Sequence, residues 1–523
     1  MQKVDLPESW IWTIVSELGS VASGGTPSTK EPSYWGSDIA WISPSDLTGY
    51  SSKFIAKGAK SISLEGLKNS SAVIMPAGSI HFSSRAPIGY VAISANEIST
   101  NQGFKSLIPA PGIFSEYIYY YFKSARQLAE SLATGTTFKE ISGAAFSRMP
   151  VPLPPELEQR RIVAKLEALF SELDKGVGNL RTAQQQLKVY RQALLKHAFE
   201  GKLTADWRAQ NPDKLESAEA LLERIQKERE ARYQQQLVEW REEQQAWEAA
   251  GKTGSKPAKP KAPKALPPLT AEELEELPEL PEGWAWFRVS HLLAEELCNG
   301  KSVKDRSGGF PVLRLNALAN GKIDLSVTKP GDWDEDEARQ YLVQEGDFLV
   351  SRGNGSKHLV GRGGFASYKS ASHDYVAFPD TMIRIRLLPE NICQHYLGFC
   401  WDSLVLRNQI EKSARTTAGI YKINQGLIEG FFLPLPCRVE QEIIENMLNE
   451  NLSNLDQLEI TIANSLQQAE ALRQSILKKA FSGQLVPQHP DDEPASLLLE
   501  RIRSERAAQQ PAAKRGRKVA KPT

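Results

Sequence analysis

Four cysteines in 523 residues (Cys298, Cys393, Cys400 and Cys437) all lie in the second half, and none is spaced as CxxC. That scarcity excludes a disulfide framework and suits a reduced, intracellular chain. No apolar run approaches the roughly 20 residues that a membrane span needs. The N-terminus, MQKVDLPESW, carries no signal-peptide pattern, so the expected location is the cytoplasm. Net charge is also missing, with 63 basic residues against 63 acidic ones. A protein that held nucleic acid by bulk attraction alone would be basic, so any such binding must rest on local patches and on partners. What remains is ordinary globular composition, 41% hydrophobic and 24% charged, in a chain long enough for two to four domains.

The chain repeats itself. RQALLKHAFEGKL at 191–203 returns as RQSILKKAFSGQL at 473–485, identical at eight of thirteen positions and displaced by 282 (191 to 473). LPESWIW at 6–12 returns as LPEGWAW at 280–286, and PLPP at 152–155 as PLPC at 434–437. Glu158-Gln159 matches Glu440-Gln441, Leu173-Asp174 matches Leu455-Asp456, and LLERI recurs at 221–225 and 498–502. Two copies are too few for a solenoid, so a duplicated, pseudo-two-fold molecule is expected. The middles, 20–135 and 295–415, share little beyond SSR at 83–85 against SR at 351–352. One frame has been kept while its contents diverged.

The helical parts carry heptads. Leu166, Leu173, Leu180, Leu187 and Leu194 fall at every seventh position, with Leu169, Ala183 and Tyr190 three residues beyond three of them. The second copy gives Leu448, Leu455, Ile462, Ala469 and Ile476, with Leu458 and Leu472 at the d position. An a/d seam predicts two long helices that pair with each other. Pro154-Pro155 starts the first, Gly201 and Gly483 stop the two copies, and Gly176 and Gly178 weaken the first locally. About 40 helical residues span roughly 60 Å, so an antiparallel pair would hold two domains one to two DNA turns apart, a turn being about 34 Å.

Residues 215–250 predict a polar helix with a short apolar stripe (Leu221, Leu222, Ile225) and with Trp240 and Trp247 one heptad apart. It is either a solvated arm or a contact with another chain. KTGSKPAKPKAPKALPP then reads as a Pro/Lys linker, and the C-terminal AAKRGRKVAKPT as a basic, disordered tail.

Short β-like runs separated by Gly, Pro, Ser and Asn clusters, each set closed by a helical run, make both middles α+β globules. Their loops are rich in groups that suit base edges and phosphates: Arg or Lys for guanine, Asn or Gln for adenine, and hydroxyls for the backbone. In the first middle the candidates are Thr26, Ser28, Lys30, Tyr34, Ser43, Ser45, Ser84, Arg85, Asn101, Gln102, Lys105, Thr136, Thr137 and Lys139. In the second they are Arg314, Asn316, Ser351, Arg352, Asn354, Lys357, His358, Arg415, Thr416, Thr417 and Lys422, with PDT at 379–381 alongside. His81 falls among them too, with a structural role the better reading.

GGTPSTKEPSYWGSDIAWISPSDL, STNQGFK, GTT before the first helix, and PLPPELEQRRIV resemble the specificity subunits of type I restriction–modification systems, and the likeness runs through the whole two-unit order. The resemblance implies an α+β protein in which two pseudo-symmetric α/β target-recognition domains are joined by long antiparallel coiled-coil helices. Each domain would read one half of a split double-stranded DNA target. The helices would set the gap and dock two methyltransferase subunits, and two restriction subunits would join them. S-adenosylmethionine, ATP and Mg would then serve the partners, with no cofactor in this chain. On that reading the recognition domains are 1–153 and 280–435, and the spacer helices 154–203 and 436–485. A polar arm (204–250), a linker (251–279) and a C-terminal segment (486–523) complete the chain; the arm and linker exceed what such a protein needs.

Catalytic motifs are absent from the sequence. Gly251-Lys252-Thr253 ends like a P-loop but has Ala246 where the first glycine belongs, and 353–358 is a GxGxxG without its last glycine. No Asn/Asp-Pro-Pro-aromatic motif marks an adenine methyltransferase, no Glu-x-Lys completes a nuclease after Pro379-Asp380, and no histidine has metal spacing. The expectation is a noncatalytic recognition subunit, of a restricting or a methylation-only system. A coiled-coil scaffold is the competing reading, and it leaves the divergent loops unexplained.

Overall fold

Proline at 154 and 155, Glu156 and Glu158 in the first turn, and Lys196 and His197 in the last favour one uninterrupted helix, and Glu156–Phe199 forms it. The helix passes through Gly176 and Gly178, which face open space. Its copy, Arg438–Ala480, begins with Glu440 in its first turn and ends with Lys478 and Lys479. In the computed structural model, residues 5–85, 87–135, 139–253, 256–263, 269–319, 321–368, 373, 375–417 and 419–509 are described.

The chain divides into two compact units, and neither is continuous with one sequence copy. Unit 1 joins the residues up to Thr182 to those from Ile462 onward; unit 2 is Ala183–Thr461. Each long helix therefore gives its first half to one unit and its second half to the other.

Unit 1 has a five-stranded sheet ordered Gly19–Ser23, Phe104–Pro109, Ile80–Ser83, Val91–Ser94, Phe54–Ile55. A three-stranded sheet (Lys60–Ile62, Trp35–Ile42, Ser99–Thr100) flanks it in sequence, and Ile11–Ile14 pairs antiparallel with Pro150–Leu153. Unit 2 repeats the plan. Phe348–Ser351 lies between Met382–Ile385 and Gly363–Ala366 in a six-stranded sheet, Asp305–Leu313 pairs with Thr328–Gly331, and Trp284–Arg288 pairs with Phe432–Pro436.

At the base of each unit the two sequence copies meet. In unit 1 Leu166 and Phe170, early in the first helix, share a core with Ile476, Leu477, Ala480 and Phe481, late in the second. In unit 2 Leu194, Leu195 and Phe199, late in the first helix, share a core with Ile444, Leu448 and Leu455, early in the second. Early against late in both units means that the pairing is antiparallel. Phe481 stacks edge-on against Tyr117 at 5.4 Å, and Phe199 against Tyr396 at 5.3 Å. Each tyrosine hydroxyl donates at 2.7 Å to a proline carbonyl of the repeated PLP strand, Pro152 and Pro434.

Polar contacts obey the same exchange. Arg473 pairs with Asp174 in unit 1 and Arg191 with Asp456 in unit 2, one ion pair written twice across the 282-residue shift (191 to 473, 174 to 456). Gln159 Oε1 accepts from Phe114 N at 2.8 Å while its Nε2 donates to Gly112 and Pro154 carbonyls; Gln441 does the same with Cys393 N (2.9 Å), Asn391 and Pro436. The recurrent LLERI is explained likewise. Leu221 and Ile225 are buried in unit 2, Leu498 and Ile502 in unit 1, and Arg224–Glu216 (2.9 Å) matches Arg501–Glu493 (2.7 Å). Only the surroundings of the buried carboxylates differ. Glu440 meets Arg208 and Thr204 at 2.5 Å, whereas Glu158 takes Trp10 Nε1 (3.0 Å) and Gln488 Nε2 (2.7 Å), and burial raises its pKa.

One expectation needs correction. The d positions do not form a continuous second flank: Tyr190, Leu458 and Leu472 are about half exposed, whereas Leu169 packs against the unit 1 core. Trp240 meets the chain's own linker. Its Nε1 donates to the Pro257 carbonyl at 3.1 Å, and the Lys259 ammonium lies 5.9 Å from its ring.

Gly201 and Gly483 hold φ of +69° and +73°, where a Cβ would also lie 2.5 Å from Pro281 and 2.3 Å from Pro7. Those prolines stand in the repeated LPExW segments, which lead into Ile11–Ile14 and Trp284–Arg288. Gly483→Ala should therefore destabilise unit 1 and Gly201→Ala unit 2, each by about 1–3 kcal/mol. Urea unfolding followed in each unit by hydrogen exchange checks this; a common response of both units to either variant would contradict the exchanged bases. Burial also holds the imidazole of His81 (unit 1) down to about 3 and of His291 (unit 2) down to about 4. Unfolded, each takes a proton near 6.5, so stability is complete above that pH and declines below it, by about 1.4 kcal/mol per unit and histidine. We expect a loss of about 2 kcal/mol per unit between pH 6.5 and 5, and a His81→Gln chain whose unit 1 profile is flat there. A profile that keeps its slope after the substitution would exclude His81 as the cause.

Candidate nucleic-acid interface

Within unit 1 the polar loops converge because two parallel segments place them. Trp41 lies beside Ser99 and Ile42 beside Thr100, and Asn101 N donates to the Ile42 carbonyl at 2.9 Å. That step brings Ser43 and Ser45 to the level of Asn101 and Gln102. The Ser43 hydroxyl donates to Asp46 Oδ2 at 2.8 Å, and Asn101 Oδ1 accepts from Gly103 N at 2.8 Å, so both also shape their own turns. Thr26 donates to Gln102 Oε1, tying GGTPS to STNQGFK. Glu140 forms bridges with Arg85 and Thr134, which brings Thr134 and Glu140 to the same place. Ser28, Lys30, Ser45, Gln102 and Lys139 are exposed there, and Thr26, Tyr34, Ser43, Arg85 and Asn101 half-buried.

Some candidates are removed. Ser84 is fully buried, its hydroxyl donating to the Gly103 carbonyl at 3.0 Å, so it cannot reach a groove. Lys105 is 8% exposed; its Nζ donates to the Gln102 carbonyl at 3.2 Å and lies 3.7 Å from Glu140, which is also 3.7 Å from Arg85. Arg85 and Lys105 are therefore largely neutralised, whereas Lys30 and Lys139 are exposed. Thr136 and Thr137 lie outside the described residues, as does the side chain of Thr417. His81 is in the core, its Nδ1 2.9 Å from the Ser106 hydroxyl.

Unit 2 builds the same corner from different side chains. Val312 lies parallel beside Ala377, and Leu313 N donates to the Ala377 carbonyl at 2.9 Å. Arg352 N donates to the Thr381 carbonyl at 2.8 Å, as Ser84 N does to Gly103 at 2.7 Å, and Ile423 N donates to Arg352 as Ile141 N does to Ser84. By this register Ser83 is equivalent to Ser351 and Ser84 to Arg352. The sequence match of SSR to SR is thus off by one residue, since a doubled serine offers two alignments. Gly353 pairs with Lys422 on the Arg415–Thr417/Ile420–Lys422 hairpin, the counterpart of Arg85 on Glu140.

Here the loops enclose a cleft of about 690 Å³ lined by Arg314, Asn316, Ser351, Asn354, Asp380 and Thr381, among others. Lys329 and Arg362 line it as well, and the sequence did not reveal them. Each is an isolated cation in a strand or turn, tied to Asp305 and Asp402 at 2.7 Å, and only the fold brings them in. Arg314 and Asn316 are exposed; Ser351 is buried at 3% and contributes only to the wall. Asn354 Oδ1 accepts from Ser356 N at 3.0 Å. Lys357, His358, Arg415, Thr416 and Lys422 are exposed and Arg352 half-buried, none of them among the cleft-lining residues. Among the described residues, no three His, Cys, Asp or Glu side chains gather as a metal site.

The model of the type I restriction modification DNA specificity domain matches residues 7–180. The MjaIX specificity subunit of Methanocaldococcus jannaschii is 38% identical over 37% of this chain and 44% of its own length. The EcoKI specificity subunit of Escherichia coli is 28% identical over 77% of this chain and 74% of its own. The match thus spans less than half of the first relative and about three quarters of the second. A solved chain from a study of assembly and conformational transition in a type I R-M system superposes with TM-score 0.60 at 18% identity, covering 92% of this chain and 99% of that one. The HsdS subunit of Thermoanaerobacter tengcongensis gives 0.51 at 17%, with the same coverage; both likenesses concern the fold. Twin domains with exchanged helix ends, polar loops gathered at one corner of each, and these relatives lead to one conclusion: residues 7–180 match the DNA specificity domain of type I restriction–modification systems, and the chain is similar to the specificity subunits of type I restriction enzymes.

Proposed function

We propose that the chain reads a two-part, asymmetric sequence in double-stranded DNA, one part by each unit, and that other polypeptides carry out the chemistry. The observation that carries this reading is the repeated corner: one backbone frame in both units, fitted with unlike side chains. Serine and glutamine stand at positions of unit 1 where unit 2 has arginine and aspartate, so two different sequences are read by one device. A neutral chain releases few counterions, and its affinity alone is small. Methyltransferase subunits, and restriction subunits where present, supply the rest of the clamp and use S-adenosylmethionine, and ATP with Mg. Docking is served by the long helices, whose Val189, Tyr190, Leu458, Ile460 and Leu472 are exposed by half or more.

Deleting the gene should abolish methylation of a split adenine motif, and exchanging residues 20–135 for those of a relative should alter one half of that motif. Long-read sequencing of methylated adenines checks both, and an unchanged pattern in either case would refute DNA reading by this chain. Leu458→Asp should reduce co-purification of the methyltransferase subunit about tenfold or more while the units keep their unfolding midpoints. Undiminished co-purification would remove this face of the helix from the docking surface.

A further inference from the structure

The two corners can be compared atom for atom. Trp41 beside Ser99 and Val312 beside Ala377 are the same parallel step. Ser83 opposite Phe104 and Ser351 opposite Met382 are the same antiparallel pair two residues past the corner. Counting along these strands makes Ser43 equivalent to Arg314, Ser45 to Asn316, and Gln102 to Asp380. Each pair sits where a parallel step ends and the chain turns outward.

In unit 2 Arg314 is exposed, and its Nε donates to the Thr328 carbonyl at 3.1 Å. That bond fixes the plane of the guanidinium and leaves the two Nη groups as a paired donor. The other cations of the cleft, Lys329 and Arg362, are held by carboxylates at 2.7 Å, whereas Arg314 acts on Asp305 only at longer range and, among the described residues, forms no ion pair within 4 Å. Asp380 lines the same cleft, at the level of Arg314 across the step. A paired donor matches guanine O6 and N7, and a carboxylate accepts from cytosine N4. In unit 1 neither charge is present. The exposed Gln102 has its amide oxygen anchored by Thr26, and an anchored amide matches adenine N6 and N7.

Resting on the DNA-reading function above, we infer that Arg314 and Asp380 read a G·C pair in one half of the target and that Gln102 reads an A·T pair in the other. The three side chains are base-reading residues, and exchange between the corners exchanges base preference.

The test uses the full chain co-expressed with its methyltransferase subunits, read out as the methylated-adenine motif. Wild type should show a G·C position in one half. Arg314→Ala and Asp380→Ala should each relax that position, with a loss of preference of about 10- to 100-fold, and leave the other half intact. Gln102→Ala should relax an A·T position in the other half. Arg314→Gln should convert the guanine preference to adenine, a gain that misfolding cannot mimic. A uniform fall in methylation at every site with all positions retained would make Arg314 a phosphate contact and overturn the inference, as would relaxation of the same half by Gln102→Ala and Arg314→Ala. A wild-type chain with no two-part motif would instead overturn the function on which it rests.

Discussion

Phe199 and Phe481 stand at the ends of two long helices, each closing the base of a domain whose strands are written far from it in sequence. Around each gather a tyrosine donating to the PLP strand, a glutamine stitching three backbone groups, and a glycine under the proline of LPExW. The helices cannot be displaced from the units without opening these bases. Because the two bases are copies, the ion pairs follow an i-to-j and j-to-i rule inside one chain, the rule of an isologous dimer interface. The repeated helical phrase is therefore a fixture, needed once for each domain.

Repetition of that fixture leaves the corner loops of each unit free to differ. The corner loops hang on strands whose register is set by buried residues such as Ile42, Phe104, Leu313 and Met382, all fully buried. Side chains that project from the corner carry none of this packing and can be replaced at small cost to folding. Between the two units, the difference in side chains and the shared packing are thus carried by different parts of the same domain.

Much of this was legible in the sequence. The helices, their start at Pro154-Pro155 and their stop at glycine, and the two-unit order follow from local signals. What escaped was what depends on burial and on distant partners. Ser84 looks like a loop serine and is core, because its neighbours on strand Ile80–Ser83 are buried and Gly103 draws it in. Lys105 looks free and is neutralised by Glu140, a residue no spacing linked to it. Lys329 and Arg362 carry no motif. The d positions read as seam because heptad spacing does not say whether the second flank has a partner.

The discontinuity of unit 1 bears on how the protein is made. Its strands leave the ribosome first, yet the segment that covers Tyr117 and Trp10 starts at Ile462, some 280 residues after Thr182 (182 to 462). At about 5–20 residues per second that is a delay of a quarter of a minute to a minute, during which an apolar floor stands open to solvent. Unit 2, continuous from Ala183 to Thr461, is finished before it. The domain born first is the one that matures last, and it is where chaperone attention is to be sought.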